Sequence, residues 1–227
     1  MSRALKYDIP GHDWRITPEE IKERGLRESF NRPPEEFVSL VVDLGFGRGE
    51  FLLALVQKDP DTLFLGVEYS FKRVLKMARL LARSGLTRIR LCDATAEEVV
   101  EECLPDASVR EFYVNFPDPW PKQRHHRRRM LQPAFIAQIV RCLEAGGVLN
   151  VATDHRGYAE WIDEVLSSEA GLENLYAPDC WRDSVEGRPT TSYELEWRAE
   201  GRSFHFFRYG RRLRIELPDS ARHRAQS

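Results

Sequence analysis

The chain has 227 residues, of which 42% are hydrophobic and 31% are charged, as is typical of one domain with an ordinary buried core. No run approaches the roughly 18 apolar residues that a membrane-spanning helix needs, and no apolar signal sequence follows Met1. The four cysteines form no C-x-x-C pair, which argues against a disulfide framework or a zinc knuckle. We therefore expect a cytoplasmic protein with reduced thiols and no membrane partner.

Positive charge is concentrated at two places in a chain whose net charge is −2. That net charge argues against a protein that coats nucleic acid by bulk charge, but it does not exclude a local contact surface. The first concentration is called the basic run below, and no acidic residue interrupts it; its cations are Lys122, Arg124, Arg127, Arg128 and Arg129. The second concentration lies near the C-terminus and comprises Arg208, Arg211, Arg212 and Arg214.

The first 37 residues are polar, contain four prolines and show no sustained hydrophobic period. This pattern predicts an irregular N-terminal arm over residues 1–37, with one short helix over 17–25. A single domain is expected over 38–217. A flexible tail is expected over 218–227.

From residue 38 the chain alternates short apolar runs with helical patterns, which is the rhythm of βαβ units and a parallel sheet. The predicted strands are 38–44, 63–68, 88–93, 109–116, 147–153 and, at the sheet edge, 203–209. The predicted helices are 49–58, 71–84, 95–102, 130–143 and 156–168. The segment 169–202 is polar and rich in turn residues.

The first predicted strand ends in a glycine-rich turn, with Gly45, Gly47 and Gly49 two residues apart. Glycines there allow a tight strand-to-helix turn and a close approach of a ligand to the backbone. The spacing is G-x-G-x-G rather than the dinucleotide G-x-G-x-x-G, and Asp43 is placed to face a cation. A turn that serves only chain reversal remains an alternative.

Carboxylates also end the second and third predicted strands. Glu68 lies about 20–25 residues past the glycine-rich turn, where a carboxylate accepts hydrogen bonds from ribose hydroxyls. Asp93 follows the next strand, where it can meet an adenine edge. Together they predict an adenosine-bearing ligand at the carboxyl edge of the sheet, whereas each alone could equally be a helix cap or a solvated acid.

The fourth predicted strand runs into a loop with three prolines, Asn115-Phe-Pro-Asp-Pro-Trp-Pro-Lys122. Each residue before a proline is expected to be extended, which would hold Asp118 and Trp120 on a stiff surface at the same edge. A merely rigid turn is the alternative.

The glycine-rich turn, this proline loop, Ala152-Thr-Asp-His-Arg-Gly-Tyr158 and Thr191-Ser-Tyr-Glu194 together resemble the bacterial tRNA (guanine-N7)-methyltransferases over roughly 41–201. The resemblance implies a class I methyltransferase fold: a doubly wound, Rossmann-like, mostly parallel seven-stranded α/β sheet. It also implies methyl transfer from S-adenosylmethionine to N7 of a guanine at position 46, in the variable loop of tRNA.

The resemblance assigns roles residue by residue. S-adenosylmethionine contacts fall on Asp43, Gly45, Gly47, Glu68, Asp93 and Asp118, with Asp118 also the catalytic aspartate. Substrate contacts fall on Lys122, Asp154, Thr191, Ser192, Tyr193 and Glu194. The family usually has arginine two residues after that glutamate, where this chain has Glu196; Arg198 lies two further on and Gly201 keeps its usual place.

Guanine N7 already carries an exposed lone pair, so its methylation needs alignment rather than a base. Asp118, Asp154 and Glu194 are suited to accept hydrogen bonds from guanine N1–H and the exocyclic amine. In the basic run, tRNA phosphate contacts are expected of Lys122, Arg124, Arg127, Arg128 and Arg129, with Trp120 or a histidine stacking on a base. A solvated basic helix start is the alternative.

Two other functions share part of this pattern. A nicotinamide-dependent oxidoreductase would use the glycine-rich turn and Glu68 but gives no reason for Asp118 beside the basic run. A non-catalytic RNA-binding module would use the arginines and leave the strand-end carboxylates without a role. The histidines are dispersed, so we expect no metal site, and either a monomer or a homodimer is compatible with the sequence.

Overall fold

The fold was described from a computed structural model, which defines residues 8–26, 28–30, 39–59 and 61–213. The predicted tail, 218–227, lies outside these residues, as does Arg214 of the second basic cluster. None of the described helices is both long enough and apolar enough to cross a membrane.

An eight-stranded mixed sheet forms the centre of the molecule, with the spatial order β1-β4-β3-β2-β5-β6-β8-β7. Neighbours from β1 to β6 run parallel, and β8 runs antiparallel to both β6 and β7. The strands are β1 (Arg15–Ile16), β2 (Leu40–Leu44), β3 (Leu63–Val67), β4 (Ile89–Cys92), β5 (Val109–Asn115), β6 (Leu143–Thr153), β7 (Leu172–Asn174) and β8 (His205–Arg211).

Helices cover both faces of the sheet, which buries strands such as β2 and β3 completely. The helices are α1 (Pro18–Arg24), α2 (Glu50–Lys58), α3 (Phe71–Leu81), α4 (Ala96–Glu98), α5 (Pro133–Cys142), α6 (Arg156–Ser168) and α7 (Ser192–Ala199). The apolar sides of α2 and α3 pack on one face, and those of α1, α5 and α6 pack on the other. The predicted α/β fold class is confirmed.

The strand that exceeds the seven implied by the resemblance is β1, which comes from the predicted N-terminal arm. Its residues Arg15 and Ile16 pair with Leu91 and Cys92 at the edge of the sheet. The short helix expected at 17–25 is present as α1, which begins at a capping box between Thr17 and Glu20. The described part of the arm therefore packs against the domain, and the sheet has one strand more than the seven implied by the resemblance.

The polar segment 169–202 contains two elements that its composition does not predict, β7 and α7. A small apolar cluster joins α7 to the sheet through Tyr193 and Trp197, which pack against Phe204 and Phe206. On the face of the sheet that carries α2 and α3, this segment thereby covers β5, β6 and β8. The predicted helix 95–102 is one α-turn followed by a π-turn, Val99–Cys103.

Candidate functional site

Two adjoining cavities open at the carboxyl edge of the parallel strands, and together they are called the cleft here. The larger has a volume of about 470 Å³ and lies between the glycine-rich turn, the proline loop and the start of α7. The smaller, about 320 Å³, lies between the proline loop and the ends of β3 and β4. The two cavities share Gly45, Arg73, Asn115, Phe116, Pro117 and Asp118.

The glycine-rich turn forms one wall of the cleft. Its sharpest requirement is at Gly49, the residue before α2, where φ is +81° and an added Cβ would lie 2.5 Å from Met77 Sδ. Gly47 also has a positive φ, +58°, and its N–H donates to Glu68 at 3.0 Å. The turn therefore brings backbone to the ligand side of the sheet, beyond simple chain reversal.

Asp43 is the most deeply buried acid of the cleft, with 1% of its surface exposed. No described residue meets its Oδ1 with hydrogen-bond geometry, and the same holds for the buried Nδ2 of the neighbouring Asn115. Burial raises the pKa of Asp43 to about 7, whereas the charge of Arg188 and the nearby Asn115 amide lower it. An unpartnered buried carboxylate oxygen is costly, and a cationic ligand would remove that cost.

Glu68 is held in place before any ligand arrives. Its carboxylate is 2% exposed and accepts hydrogen bonds from the N–H groups of Gly47 at 3.0 Å and Ser70 at 2.9 Å. Arg73 Nη1 lies 3.4 Å away. A carboxylate offers about four acceptor positions, so Glu68 can still receive a ligand hydroxyl in the smaller cavity.

Asp93 lies at the end of β4, but its side chain is exposed and lines neither cavity. The next residues, Ala94 and Thr95, do line the smaller one. Partial burial and Glu68 raise the pKa of Asp93, and Arg15 from β1 lowers it. The adenine contact of Asp93 stays a prediction.

The proline loop turns more sharply than expected. Phe116 and Trp120, both before prolines, have φ values of +54° and +42°, so the expectation that they are extended is wrong. Ring packing explains both turns: Phe116 packs on Tyr193 and Phe204, and Trp120 lies under the Arg128 guanidinium at 3.9 Å. Left-handed backbone at non-glycine residues is a feature of functional loops.

Asp118 lies between these two strained residues. Its carboxylate is exposed, borders both cavities, and makes no hydrogen bond or ion pair within the described part of the chain. The loop therefore presents one unpaired acid at the junction of the cleft.

Asp154 faces the larger cavity from the end of β6. Its Oδ2 accepts hydrogen bonds from Tyr193 Oη at 2.9 Å and from Arg202 Nη1 at 2.5 Å. Burial and the Asp154 charge raise the pKa of Tyr193 to about 12, so this hydroxyl remains a donor near neutral pH. Both contacts use the same oxygen, which leaves Oδ1 for another donor.

The segment 191–194 forms the first turn of α7 against the cleft, and each of its side chains already has a protein partner. Thr191 caps the helix through Glu194. Ser192 binds the Glu50 carboxylate, with its hydroxyl 2.6 Å from Oε2. Glu194 is 2% exposed and pairs with Arg188 at 2.7 Å. Glu194 thus fixes this segment through Arg188, and its contact with the substrate stays a prediction.

The basic run begins at Lys122 and forms a 3-10 turn, Gln123–Arg128. Lys122, Arg124, Arg127 and Arg128 are exposed. Arg129 is not: it is 4% exposed, donates to the Pro119 carbonyl at 3.0 Å, and lies over the Tyr158 ring. This burial contradicts the expectation that Arg129 contacts RNA and makes it a brace behind the proline loop.

The second basic cluster has a structural role at two of its positions. Arg211 donates to the Leu143 carbonyl, and Arg212 donates to the Leu172 carbonyl at 2.7 Å. These arginines therefore tie the β8 end of the sheet together.

Sequence reasoning does not identify three residues of the site. Arg188 and Arg202 lie in a polar segment without hydrophobic period, and Glu50 looks like an ordinary first-turn acid of α2. Asn115 also received no role from the sequence, although it belongs to the recognisable motif of the proline loop.

Comparisons with known proteins show the family and the fold. A family model described as a putative methyltransferase matches residues 38–207. A tRNA (guanine-N(7)-)-methyltransferase of Halorhodospira halophila is 38% identical over 181 residues, which cover 80% of this chain and 76% of that protein. The chain belongs to the tRNA (guanine-N7)-methyltransferase family.

Other members of the family match over similar lengths. The Leifsonia xyli protein is 41% identical over 168 residues, which cover 74% of each chain. The Alcanivorax borkumensis protein is 38% identical, and the match spans 68% of this chain and 64% of that protein, slightly less than two thirds.

Solved structures show the same fold at low sequence identity. The 16S rRNA methyltransferase KamB superposes with a TM-score of 0.60 at 17% identity and covers 82% of this chain and 94% of that one. A SAM-dependent O-methyltransferase of Thermotoga maritima gives 0.51 at 14% identity, with 79% and 61% covered. These neighbours establish the class I Rossmann-like fold.

Proposed function

We propose that this chain transfers a methyl group from S-adenosylmethionine to N7 of a guanine in tRNA, at position 46 in the variable loop. Family membership supports the reaction class. The observation that carries the proposal is the cleft itself, in which the buried, unpartnered Oδ1 of Asp43 and the unpaired carboxylate of Asp118 face one space.

The cleft fits an adenosine-bearing sulfonium donor on the chemistry of its side chains. Asp43 Oδ1 has no well-aligned partner among the described residues, which leaves it for the donor's ammonium group, and the Asn115 amide lies beside it. Glu68 retains acceptor positions for ribose hydroxyls beside the smaller cavity. The backbone of Gly45 and Gly47 completes the wall, and Asp93 is assigned the adenine edge.

When bound, S-adenosylmethionine supplies an electrophilic methyl carbon on a positively charged sulfur. The protein's own task is alignment, because guanine N7 has an exposed lone pair and no proton to remove. Alignment means holding N7 about 3–3.5 Å from the carbon it attacks. A stiff proline loop on one side and a pinned α7 on the other suit that task.

Two carboxylates are assigned to the guanine. Asp118 is the catalytic residue, because it is unpaired at the junction of the two cavities and can stabilise charge that develops on the purine. Asp154 presents Oδ1 to the guanine N1–H or amine while Tyr193 and Arg202 fix its other oxygen. Adenine offers no matching N1–H, so this pair distinguishes the two purines.

The exposed cations of the basic run are assigned to tRNA phosphates. Lys122, Arg124, Arg127 and Arg128 lie directly after the proline loop and reach solvent. Thr191, Ser192 and Tyr193 border the same cavity and are assigned to the substrate through the shape of their turn. The protein is proposed to act in the cytoplasm as a monomer or homodimer.

The test is incubation with labelled S-adenosylmethionine and unmodified tRNA, followed by nucleoside analysis. We expect 7-methylguanosine, and a tRNA with adenine in place of guanine 46 should yield none. A folded protein that binds the donor but forms no 7-methylguanosine would refute the proposal. Titration with a reduced nicotinamide provides the control for the oxidoreductase alternative and should give no binding.

A further inference from the structure

Arg188 occupies a central position in the polar segment between β7 and α7. Its guanidinium lies over the Phe51 ring at 4.7 Å and over the Phe206 ring at 4.8 Å. Its side chain is only 11% exposed, although it comes from a loop. A stacked and buried arginine in a loop is costly unless its donors are used.

Both ends of the Arg188 fork are used, and they donate to two different elements. Nη1 donates to Glu194 Oε2 at 2.7 Å, in the segment that borders the substrate side of the cleft. Nη2 donates to Asn115 Oδ1 at 2.7 Å, at the end of β5 and the start of the proline loop. One planar group therefore fixes two elements that are 79 residues apart in sequence.

Asn115 extends this connection to the donor side of the cleft, which is the side of Asp43 and Glu68. Its Oδ1 accepts from Arg188, and its buried amide nitrogen, which has no well-aligned partner among the described residues, lies close enough to Asp43 to lower the pKa of that carboxyl. Asn115 lines both cavities of the cleft, whereas Arg188 lines neither. Arg188 lines a third cavity of about 440 Å³, to which Asn115 also contributes. Arg188 thus acts through its neighbours rather than on a ligand.

We propose that Arg188 is a positioning residue that couples the two halves of the cleft, by holding Asn115 on the donor side and Glu194 on the substrate side with one guanidinium. This inference rests on the proposed function. It predicts that Arg188 affects the methyl-transfer step more than the binding of either substrate.

A second consequence concerns Asp43. The charged groups that act on it are Arg188, which favours its ionised form, and Glu68, which disfavours it. Removing the Arg188 charge should therefore raise the pH at which Asp43 becomes ionised and competent to bind an ammonium group. The midpoint therefore reports the charge of Arg188, whereas kcat reports its hydrogen bonds to Asn115 and Glu194.

Two variants separate geometry from charge. Arg188→Lys keeps the charge but cannot donate to Asn115 and Glu194 with a planar fork. We expect its kcat for tRNA methylation to fall about 10–100-fold, while KM and the pH midpoint of S-adenosylmethionine binding stay close to the wild-type values. Arg188→Met removes the charge as well, and its midpoint should rise by about one pH unit.

Arg182→Met is the matched control, since Arg182 lies in the same loop, stacks on Tyr176 at 4.4 Å and is exposed. It should leave kcat and the midpoint unchanged. Thermal unfolding reports whether each variant is folded. If Arg188→Met does not fold, Arg188→Lys still tests the positioning role through its kcat.

Wild-type kcat in Arg188→Lys would overturn the positioning role, and an unmoved midpoint in folded Arg188→Met would overturn the link to Asp43. Failure of the proposed function is a distinct result, because the wild-type protein would then form no 7-methylguanosine. Donor binding and its pH midpoint would remain measurable in that case.

Discussion

The Glu50 carboxylate accepts two kinds of hydrogen bond from Ser192, one from its backbone N–H at 2.9 Å and one from its hydroxyl at 2.6 Å. Glu50 begins α2, directly after the glycine-rich turn, and Ser192 begins α7, 142 residues later. The first residue of α2 therefore holds the first residue of α7, which links the wall proposed for the donor to the wall proposed for the substrate. Ser192 also lowers the pKa of Glu50, which keeps that carboxylate ionised.

The first prediction removes this link. Glu50→Ala should lower kcat/KM for tRNA about fivefold and leave the Kd of S-adenosylmethionine nearly unchanged. The contact is exposed, so its net worth is about 1 kcal/mol rather than the value of a buried charged hydrogen bond. Steady-state methylation kinetics and donor titration measure the two effects.

Glu160→Ala is the control for Glu50→Ala, because Glu160 is exposed on α6 and pairs only with Arg156 at the surface. It should behave as the wild type. An equal loss of kcat/KM in both variants would contradict the assigned link.

The second prediction concerns the pH dependence of donor binding. The pKa of Asp43 is raised to about 7 by burial, and the ammonium group requires the ionised form. The Kd of S-adenosylmethionine should therefore rise about tenfold per pH unit as the pH falls below 7, and be constant well above it. Isothermal titration between pH 5.5 and 8.5 measures this. In Asp43→Asn the affinity should be weaker and show no such pH dependence; a shared slope would exclude Asp43 as its source.

The third prediction is the effect of the same group on stability. The folded-state pKa of Asp43 lies above the ordinary aspartate value of 3.8, so the folded protein binds a proton more tightly than the unfolded chain does. The contribution of Asp43 to the free energy of unfolding is thus most favourable below pH 4 and falls by roughly 4 kcal/mol as the pH rises to 7. Urea unfolding of the ligand-free protein across this range should show the fall, and Asp43→Asn should lack it.

The sequence allows the sheet and the donor side of the cleft to be predicted, because both depend on local pattern. Buried parallel strands are apolar runs, and their carboxyl ends lie at one edge of the sheet. Asp43 and Glu68 lie at the ends of such strands, and Asp118 follows the end of another by three residues, so all three are expected at that edge. The glycine-rich turn is equally local, since Gly49 is required by its own φ and by one contact with Met77.

The substrate side cannot be predicted in the same way, because it depends on tertiary contacts between distant polar residues. Arg188 lies in a segment without period, and its partners Asn115 and Glu194 are known only from the fold. The sequence of an arginine run does not show which of its side chains are exposed, as Arg128 is, and which are buried, as Arg129 is. Strand β1 has two residues, too few for any periodicity.

The fourth prediction tests the proposed catalytic role of Asp118. Asp118→Asn should lower kcat about 10²–10³-fold, because it removes the negative charge that stabilises the methylated purine as positive charge develops on it. The Kd values for donor and tRNA should change little, since Asp118 is exposed and unpaired. Single-turnover kinetics separate the chemical step from binding.

The substitution Asp179→Asn serves as its control, as Asp179 is exposed on the far loop after β7. Turnover of Asp118→Asn within a few-fold of the wild type, with both affinities intact, would remove Asp118 from the mechanism.

The last prediction concerns the basic run. Arg124→Ala combined with Arg127→Ala should weaken tRNA binding and reduce the slope of log Kd against log salt by about 1.5, because each phosphate contact of a single-stranded segment contributes about 0.7. Filter binding at about 50–300 mM salt measures this slope. The Kd of S-adenosylmethionine should not change.

The matched control for this pair is Arg83→Ala with Arg88→Ala, which removes the same charge near the end of α3 and the start of β4, at the opposite edge of the sheet from the cleft. Bulk charge would lower the slope equally in both double variants, whereas a local phosphate surface changes it only in the first. The proposed RNA surface is therefore wrong if the two slopes agree. Arg129 is left out of the substitution because its loss would disturb the proline loop through the Pro119 carbonyl and confuse binding with folding.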